Sequence, residues 1–278
     1  MIDQVPLTNA TGEEFLLKLL HSWGLKSGRE GNLYARDRAS IAIADCWAKG
    51  DAPLLHLEKM PSERWENRYY KELLMLNRKD FDFTKQPIRV RPLVHYMSGG
   101  VQIDTDGKTE CPGLFACGEV TGGVDGANRI GGNALTNISH FGQKAGQSAA
   151  TYAQSRQKQP QIQPLSALPQ QSGFEQYSTL KKKLNQIMDD LVGPLRSESG
   201  LLSAQSQWED LKERAQHVPW KTGKDLQRYY ELQALCTTAG LIIAGALTRQ
   251  ESRGVHFRSD FPTEQEDWRK TIWQKKQS

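Results

Sequence analysis

The sequence has 278 residues, 37% of them hydrophobic, with 36 Lys and Arg against 32 Asp and Glu for a net charge of +4. That length suits one large domain or two small ones, and the composition is that of a chain with a packed core rather than a disordered tail. The charge excess is too small to point to nucleic acid. No apolar run reaches the ~18–20 residues of a membrane helix, and Met1-Ile2-Asp3-Gln4 lacks the basic and apolar regions of a signal peptide.

In chain order, Ala35 to Lys49 carries apolar residues at helical spacing (Ala39, Ile43, Cys46, Trp47), with Asp37 near the positive end of the helix dipole. Arg64 to Asn77 reads as a second helix, with Trp65, Tyr69, Leu73 and Leu76 on one side. Val101 to Asp104 alternates like a strand, Asp106-Gly107 supplies a turn, and Leu114 to Cys117 reads as a short apolar strand. A helix over Asn133 to Gln154 follows. The Gln- and Pro-rich stretch 155–173 reads as a linker. Beyond it, Phe174 to Val192, Leu201 to Ala215 and Gln227 to Arg249 read as helices, which fits a three-helix bundle. The four cysteines, Cys46, Cys111, Cys117 and Cys236, form no CxxC pair; they read as isolated buried thiols of a reducing compartment, with no metal ligation.

The most informative stretch runs from Gly118-Glu119 to Ala134-Leu135. A strand ends in Gly-Glu, a glycine-rich loop follows, and a helix then begins. Such a start aims free backbone N–H groups and a positive helix end at a ligand, and glycines let a flat or anionic group approach the backbone. A glutamate after a strand can accept hydrogen bonds from ribose hydroxyls. The alternative is a flexible surface loop. The sequence has neither a G-x-G-x-x-G after an early strand nor a Walker A loop.

Residues 92–146 (PLVHYMSGGV, GLFACGEVTGGV, GANRIGGNAL, FGQKAG) resemble the flavoprotein subunit of succinate dehydrogenase and fumarate reductase, a superfamily that includes L-aspartate oxidase. Arg36-Asp37-Arg38-Ala39-Ser40 resembles its R-D-x-x-S helix start, Val192-Gly193-Pro194-Leu195-Arg196 its V-G-x-x-R, and Glu251 to Pro262 its E-S-R-G-x-H-x-R-x-D-x-P ending. The resemblance covers nearly the whole chain in order. It implies the C-terminal half of an FAD-dependent flavoprotein, α/β plus α. Residues 1–90 would form most of the capping domain, 91–155 the closing segment of the FAD-binding domain, 156–172 a linker and 173–278 a helical bundle. The family's G-x-G-x-x-G and its H-P-T-x-x-x-x-T-E segment are not in this sequence.

The resemblance also implies roles. Arg36 matches the arginine that gives a proton to the substrate carbon. Arginine is a poor acid in isolation, so the role requires a relay that reprotonates it. Read without the resemblance, Arg36 is an ion-pair partner of Asp37 or Asp45. His95, in H-Y-x-x-G-G, and Arg129, in G-A-N-R, match the residues that hold the substrate carboxylates. A loop arginine pairing with Asp125 is the alternative for Arg129. Glu119 matches the FAD-binding glutamate, and Ala134 and Leu135 present backbone amides to the flavin. Asp125 departs from the pattern, standing where many relatives have histidine and adding a negative charge. His256 reads as part of the docking of the C-terminal domain.

The function implied is fumarate–succinate interconversion by hydride transfer at flavin N5, with FAD as cofactor. L-aspartate oxidation is the second choice, and a truncated, non-catalytic remnant the third. Expected partners are a dicarboxylate substrate, an N-terminal FAD-domain half and an iron–sulfur electron-transfer subunit. The expected location is cytoplasmic, or peripheral at the cytoplasmic membrane through a partner subunit.

Overall fold

A computed structural model of the chain describes residues 3–75, 81–156 and 170–275. It divides into two compact units, Met1–His95 and Tyr96–Ser278.

In the first unit, β1 (Leu7–Thr8) is followed by α1 (Phe15–Ser22), α2 (Gly28–Tyr34), α3 (Arg36–Ala48), β2 (Leu54–Leu55), α4 (Arg68–Leu74) and β3 (Ile88–Arg89). The strands form an antiparallel sheet in chain order, pairing Leu7 with Leu55 and Leu55 with Ile88. Leu16 and Leu20, four apart on α1, share one face and join Val5, Leu7, Leu55, Leu57, Met60 and Phe83 in the core. Gly31 of α2 lies against Leu20, where a Cβ would come within 2.5 Å of the side chain, so glycine lets α2 approach α1. The helix expected over Arg64 to Asn77 is broken. Ser62–Glu66 forms a 3-10 turn, Asn67 is extended (φ −64, ψ 134), and only Arg68–Leu74 is α-helical. Asn67 starts that helix by accepting from the amides of Tyr70 and Lys71, and asparagine is among the residues favoured where a helix begins. Leu76, Asn77 and the Tyr69 side chain lie outside the described residues.

In the second unit the expected strands at Val101 to Asp104 and Leu114 to Cys117 reduce to single bridges, Val101 with Thr121 and Lys108 with Phe115. A lone pair of short segments is marginal without a further strand or an apolar face to cover. The turn between them holds: Asp104 Oδ1 accepts from the amides of Asp106 and Lys108, each at 2.9 Å, and Gly107 takes φ +76. α5 spans Asn133–Ser155. Of the expected linker, residues 157–169 lie outside the described residues.

α6 (Tyr177–Leu191), α7 (Glu198–Ala215) and α8 (Gly223–Thr248) then pack around Leu180, Leu184, Ile187, Leu201, Leu211, Leu232, Cys236 and Ile243. Ser197 caps α7, and Thr222 with Asp225 forms a capping box on α8. By length and composition α8 is apolar enough to cross a membrane, although its apolar residues form no unbroken run of that length. Here Leu232, Cys236, Ala239, Ile243 and Ala246 form its buried seam. Only Cys236 of the four cysteines is buried. Cys46 is half-buried, and Cys111 and Cys117 are exposed, which corrects the expectation of four buried thiols.

The E-S-R-G-V-H segment closes the bundle with buried charges. The Glu251 carboxylate, fully buried, takes Arg249 Nη1 at 2.6 Å, Arg253 Nε at 2.9 Å and the Gln265 amide at 2.9 Å. Burial pushes its carboxyl up, but these donors outweigh it and hold the pKa at about 2. The equally buried Arg258 pairs with Asp260 and donates to the Ala246 carbonyl.

Candidate active-site residues in each unit

In the first unit the site is built on the entry to α3. Asp3 accepts from the amides of Gly28 and Arg29, and Ser27 Oγ accepts from the Glu30 amide at 3.2 Å, so the start of α2 is held by side chains. α2 ends at Ala35, whose φ of −143 turns the chain, and Arg36 opens α3. Arg36 Nε donates to the Asn32 carbonyl at 3.3 Å, and its Nη1 lies 3.4 Å from His95 Nε2. An arginine only donates, so the His95 Nε2 is the acceptor of this contact. His95 reaches this position through the segment after β3. Trp47 Nε1 donates to the Val90 carbonyl at 2.8 Å, and the Val90 amide donates to Pro53. Arg36 is half-buried and His95 exposed. Arg36 therefore faces a histidine, not the Asp37 or Asp45 partner that a surface reading supplies.

In the second unit the site is the loop from Gly118 to Gly132. Four of its glycines, Gly118, Gly123, Gly126 and Gly132, have positive φ. Gly100 and Gly122 face each other so closely that a Cβ on Gly100 would lie 2.2 Å from the Val120 carbonyl oxygen. Glu119 is exposed, and its Oε1 accepts from the Met97 amide at 3.0 Å. The Arg129 guanidinium lies over the Tyr96 ring, 4.1 Å from its centroid. Tyr96 donates to Asp125 Oδ2 at 2.7 Å. That bond, with burial, pushes the Tyr96 phenol above its ordinary pKa. Asp125 is thus engaged by Tyr96, and among the described residues Arg129 has no ion pair. Arg129 Nε and Asp125 Oδ1 are buried without a protein partner.

The residues present fit one side of a flavin site. α5 begins at Gly132 with no side-chain cap and no acidic residue in its first turn. Its first turn, which holds Ala134 and Leu135, thus carries no carboxylate of its own, and the Leu135 side chain is 70% exposed. An uncapped, positively polarised helix start suits the electron-rich edge of a flavin.

Sequence reasoning missed two supports of the Arg129 loop. One is Tyr96; an aromatic residue directly after the candidate histidine was the available signal. The other is Gly254, whose φ of +58 and close approach to the Ala127 carbonyl let the Val255 amide donate to that carbonyl at 3.0 Å. The E-S-R-G-V-H segment thereby buttresses the loop that carries Arg129.

Residues 5–135 match the FAD binding domain family, and residues 181–278 match the fumarate reductase flavoprotein C-terminal family. The chain is 34% identical over 282 aligned residues to a subunit of the fumarate reductase (CoM/CoB) of Methanothermobacter marburgensis, covering 96% of this chain and 50% of that protein. It is 32% identical over 262 residues to the chloroplastic L-aspartate oxidase of Oryza sativa subsp. japonica, covering 84% of this chain and 40% of that one. An E. coli quinol fumarate reductase structure superposes with a TM-score of 0.79 at 26% identity, covering 95% of this chain and 50% of that chain. The chain thus spans half or less of the length of these relatives.

Proposed function

The chain belongs to the succinate dehydrogenase/fumarate reductase flavoprotein family as a partial-length member, and on that premise we propose that it carries substrate-handling residues of an FAD-dependent oxidoreductase interconverting fumarate and succinate. The observation that carries this reading is the contact between Arg36 and His95, 59 positions apart and 3.4 Å from each other. Bound FAD supplies hydride exchange with one carbon of the dicarboxylate. Arg36 gives a proton to the neighbouring carbon in the reductive direction, with His95 and Arg129 binding carboxylate groups. Planar guanidinium donors suit bidentate carboxylate binding. Glu119, Ala134 and Leu135 are the residues that would hold the cofactor.

The Arg36 contact bears on the proton step. An arginine gives up a proton only where its loss is made transient and its replacement is at hand. A separate N-terminal half completing the flavin site, an iron–sulfur electron-transfer partner, and a cytoplasmic or peripheral membrane location all belong to this proposal.

L-aspartate oxidation is the second reading, supported by the likeness to the rice enzyme. The longer match to the Methanothermobacter marburgensis fumarate reductase subunit, over 96% of this chain against 84%, favours the first. The deciding experiment combines this chain with a flavin-binding half and supplies fumarate with a reduced viologen, or aspartate with an electron acceptor. Fumarate-dependent viologen oxidation supports the proposal. Aspartate turnover alone supports the second reading, and turnover of neither by a flavin-loaded complex overturns both.

A further inference from the structure

The loop that carries Arg129 cannot order that side chain by itself. Glycine-rich backbone is conformationally permissive, and a free arginine side chain has about 2 kcal/mol of rotamer entropy to lose. A clamp arginine on such a loop needs an external platform. We propose that Tyr96 and Asp125 are positioning residues for Arg129: the Tyr96 ring, anchored through its hydroxyl on Asp125, fixes the guanidinium for carboxylate binding. The carboxylate-binding clause rests on the proposed function; the positioning itself does not.

Three observations carry this. First, Tyr96 is held at the backbone beside it. The Met97 amide donates to Glu119 Oε1, and a little further on the Val101 amide donates to the Val120 carbonyl at 2.8 Å. Second, the same side chain touches the loop twice, at Asp125 through its hydroxyl and at Arg129 through its face. It bridges positions four residues apart and closes the loop on itself. Third, the arrangement resolves a conflict of charge. A carboxylate four residues from a clamp arginine would otherwise pair with it and occupy the donors meant for substrate. Tyr96 instead engages Asp125 Oδ2, and Arg129 forms no ion pair among the described residues. Donation of the phenol to a carboxylate also enriches the ring in electron density, which strengthens its attraction for a cation on its face.

The test reads Arg129 directly in the full chain, by the hydrogen exchange and chemical shift of its side-chain Nε–H in 15N-labelled protein. The signal is assigned by its loss in Arg129→Lys. Tyr96→Leu removes the platform and should speed Nε–H exchange about tenfold, the equilibrium shift matching a cation–π contact. Tyr96→Phe keeps the ring and should retain most of the protection. Asp125→Asn should speed exchange two- to threefold, on the order of a weakened contact. The Thr121 amide, in the same loop, reports whether the fold is intact. Unchanged Arg129 exchange in folded Tyr96→Leu overturns the proposal. If that variant does not fold, Asp125→Asn decides alone, and parent-like exchange in it overturns the proposal. Malonate titration of the flavin-completed protein separates the two claims. If the Tyr96 variants release Arg129 and malonate leaves its signal untouched, the positioning stands and the carboxylate clamp fails.

Discussion

Arg36 and His95 meet at 3.4 Å across 59 positions, with the arginine at the first residue of α3 and the histidine beyond the last strand of the first unit. Arg36 is held from both sides of its side chain, because Nε is also engaged by the Asn32 carbonyl. Its place depends on the α2–α3 corner and on the segment that Trp47 ties down at Val90.

Arg129→Lys replaces a planar set of donors with a single ammonium. Loss of a bidentate charge-assisted pair costs roughly 1.5–3 kcal/mol. Malonate affinity of the flavin-completed protein should therefore fall about tenfold or more, measured by calorimetry. Unaltered affinity removes Arg129 from the carboxylate clamp.

Acid should weaken the second unit in two stages. His256 Nδ1 accepts from Arg196 Nη1 at 2.8 Å. Burial, reinforced by the neighbouring Arg196, lowers its pKa from 6.5 to about 4. Between those values the unfolded chain binds a proton that the folded chain excludes, so stability present above pH 6.5 is lost as pH falls toward 4. The loss is at most about 3 kcal/mol, reduced by solvent screening of the partly exposed ring. Glu251, with its pKa lowered to about 2, adds a second loss as pH falls below the ordinary carboxylate range. Urea unfolding against pH should show both, and His256→Gln should flatten the first.

Two glycines of the second unit should resist alanine for different reasons. A Cβ on Gly240 would lie 2.3 Å from the Trp208 ring, which is pinned by its Nε1 bond to the Cys236 carbonyl at 2.7 Å. Overpacking of this kind costs about 1–3 kcal/mol, more than the ~1 kcal/mol that alanine gains in a helix. Gly254→Ala combines a φ of +58 with a Cβ 2.3 Å from the Ala127 oxygen. It should cost at least about 1 kcal/mol and also disturb the Arg129 Nε–H signal, which Gly240→Ala should leave alone. Thermal melts and the NMR spectrum separate the two.

The 278-residue chain expressed alone should not hold stoichiometric FAD. Its uncapped α5 start offers amides for the flavin edge, but the sequence has no G-x-G-x-x-G turn to cradle the pyrophosphate. Visible absorbance of the purified chain checks this, and a full flavin band from the chain alone contradicts it.

Much of the second unit was legible in the sequence, because helical periodicity over long segments survives its context. α5, α6, α7 and α8 lie where the apolar spacing put them, within a few residues. The short strands were not legible. Val101 to Asp104 has the alternation of a strand, but pairing is decided by neighbours that one segment does not encode. The break at Asn67 was readable in principle from its capping preference, yet the apolar spacing of Trp65 and Leu73 spans it. Residues of the site stood out by motif: Arg36, His95 and Arg129 by resemblance, and the loop by its glycines. What the motif could not supply was the use of Tyr96, since a ring's partner depends on which side chain the folded loop brings over its face.

The most direct test of the central claim is fumarate reduction by the flavin-completed protein carrying Arg36→Lys, read beside its malonate affinity. Lysine keeps the charge but shortens the reach and moves the proton. An interaction made only in the transition state lowers kcat without weakening ground-state binding. In Arg36→Lys kcat should fall by a factor on the order of 10²–10⁴, with malonate affinity within about threefold of the parent. Parent-like fumarate reduction by this variant contradicts the proton-donor role of Arg36.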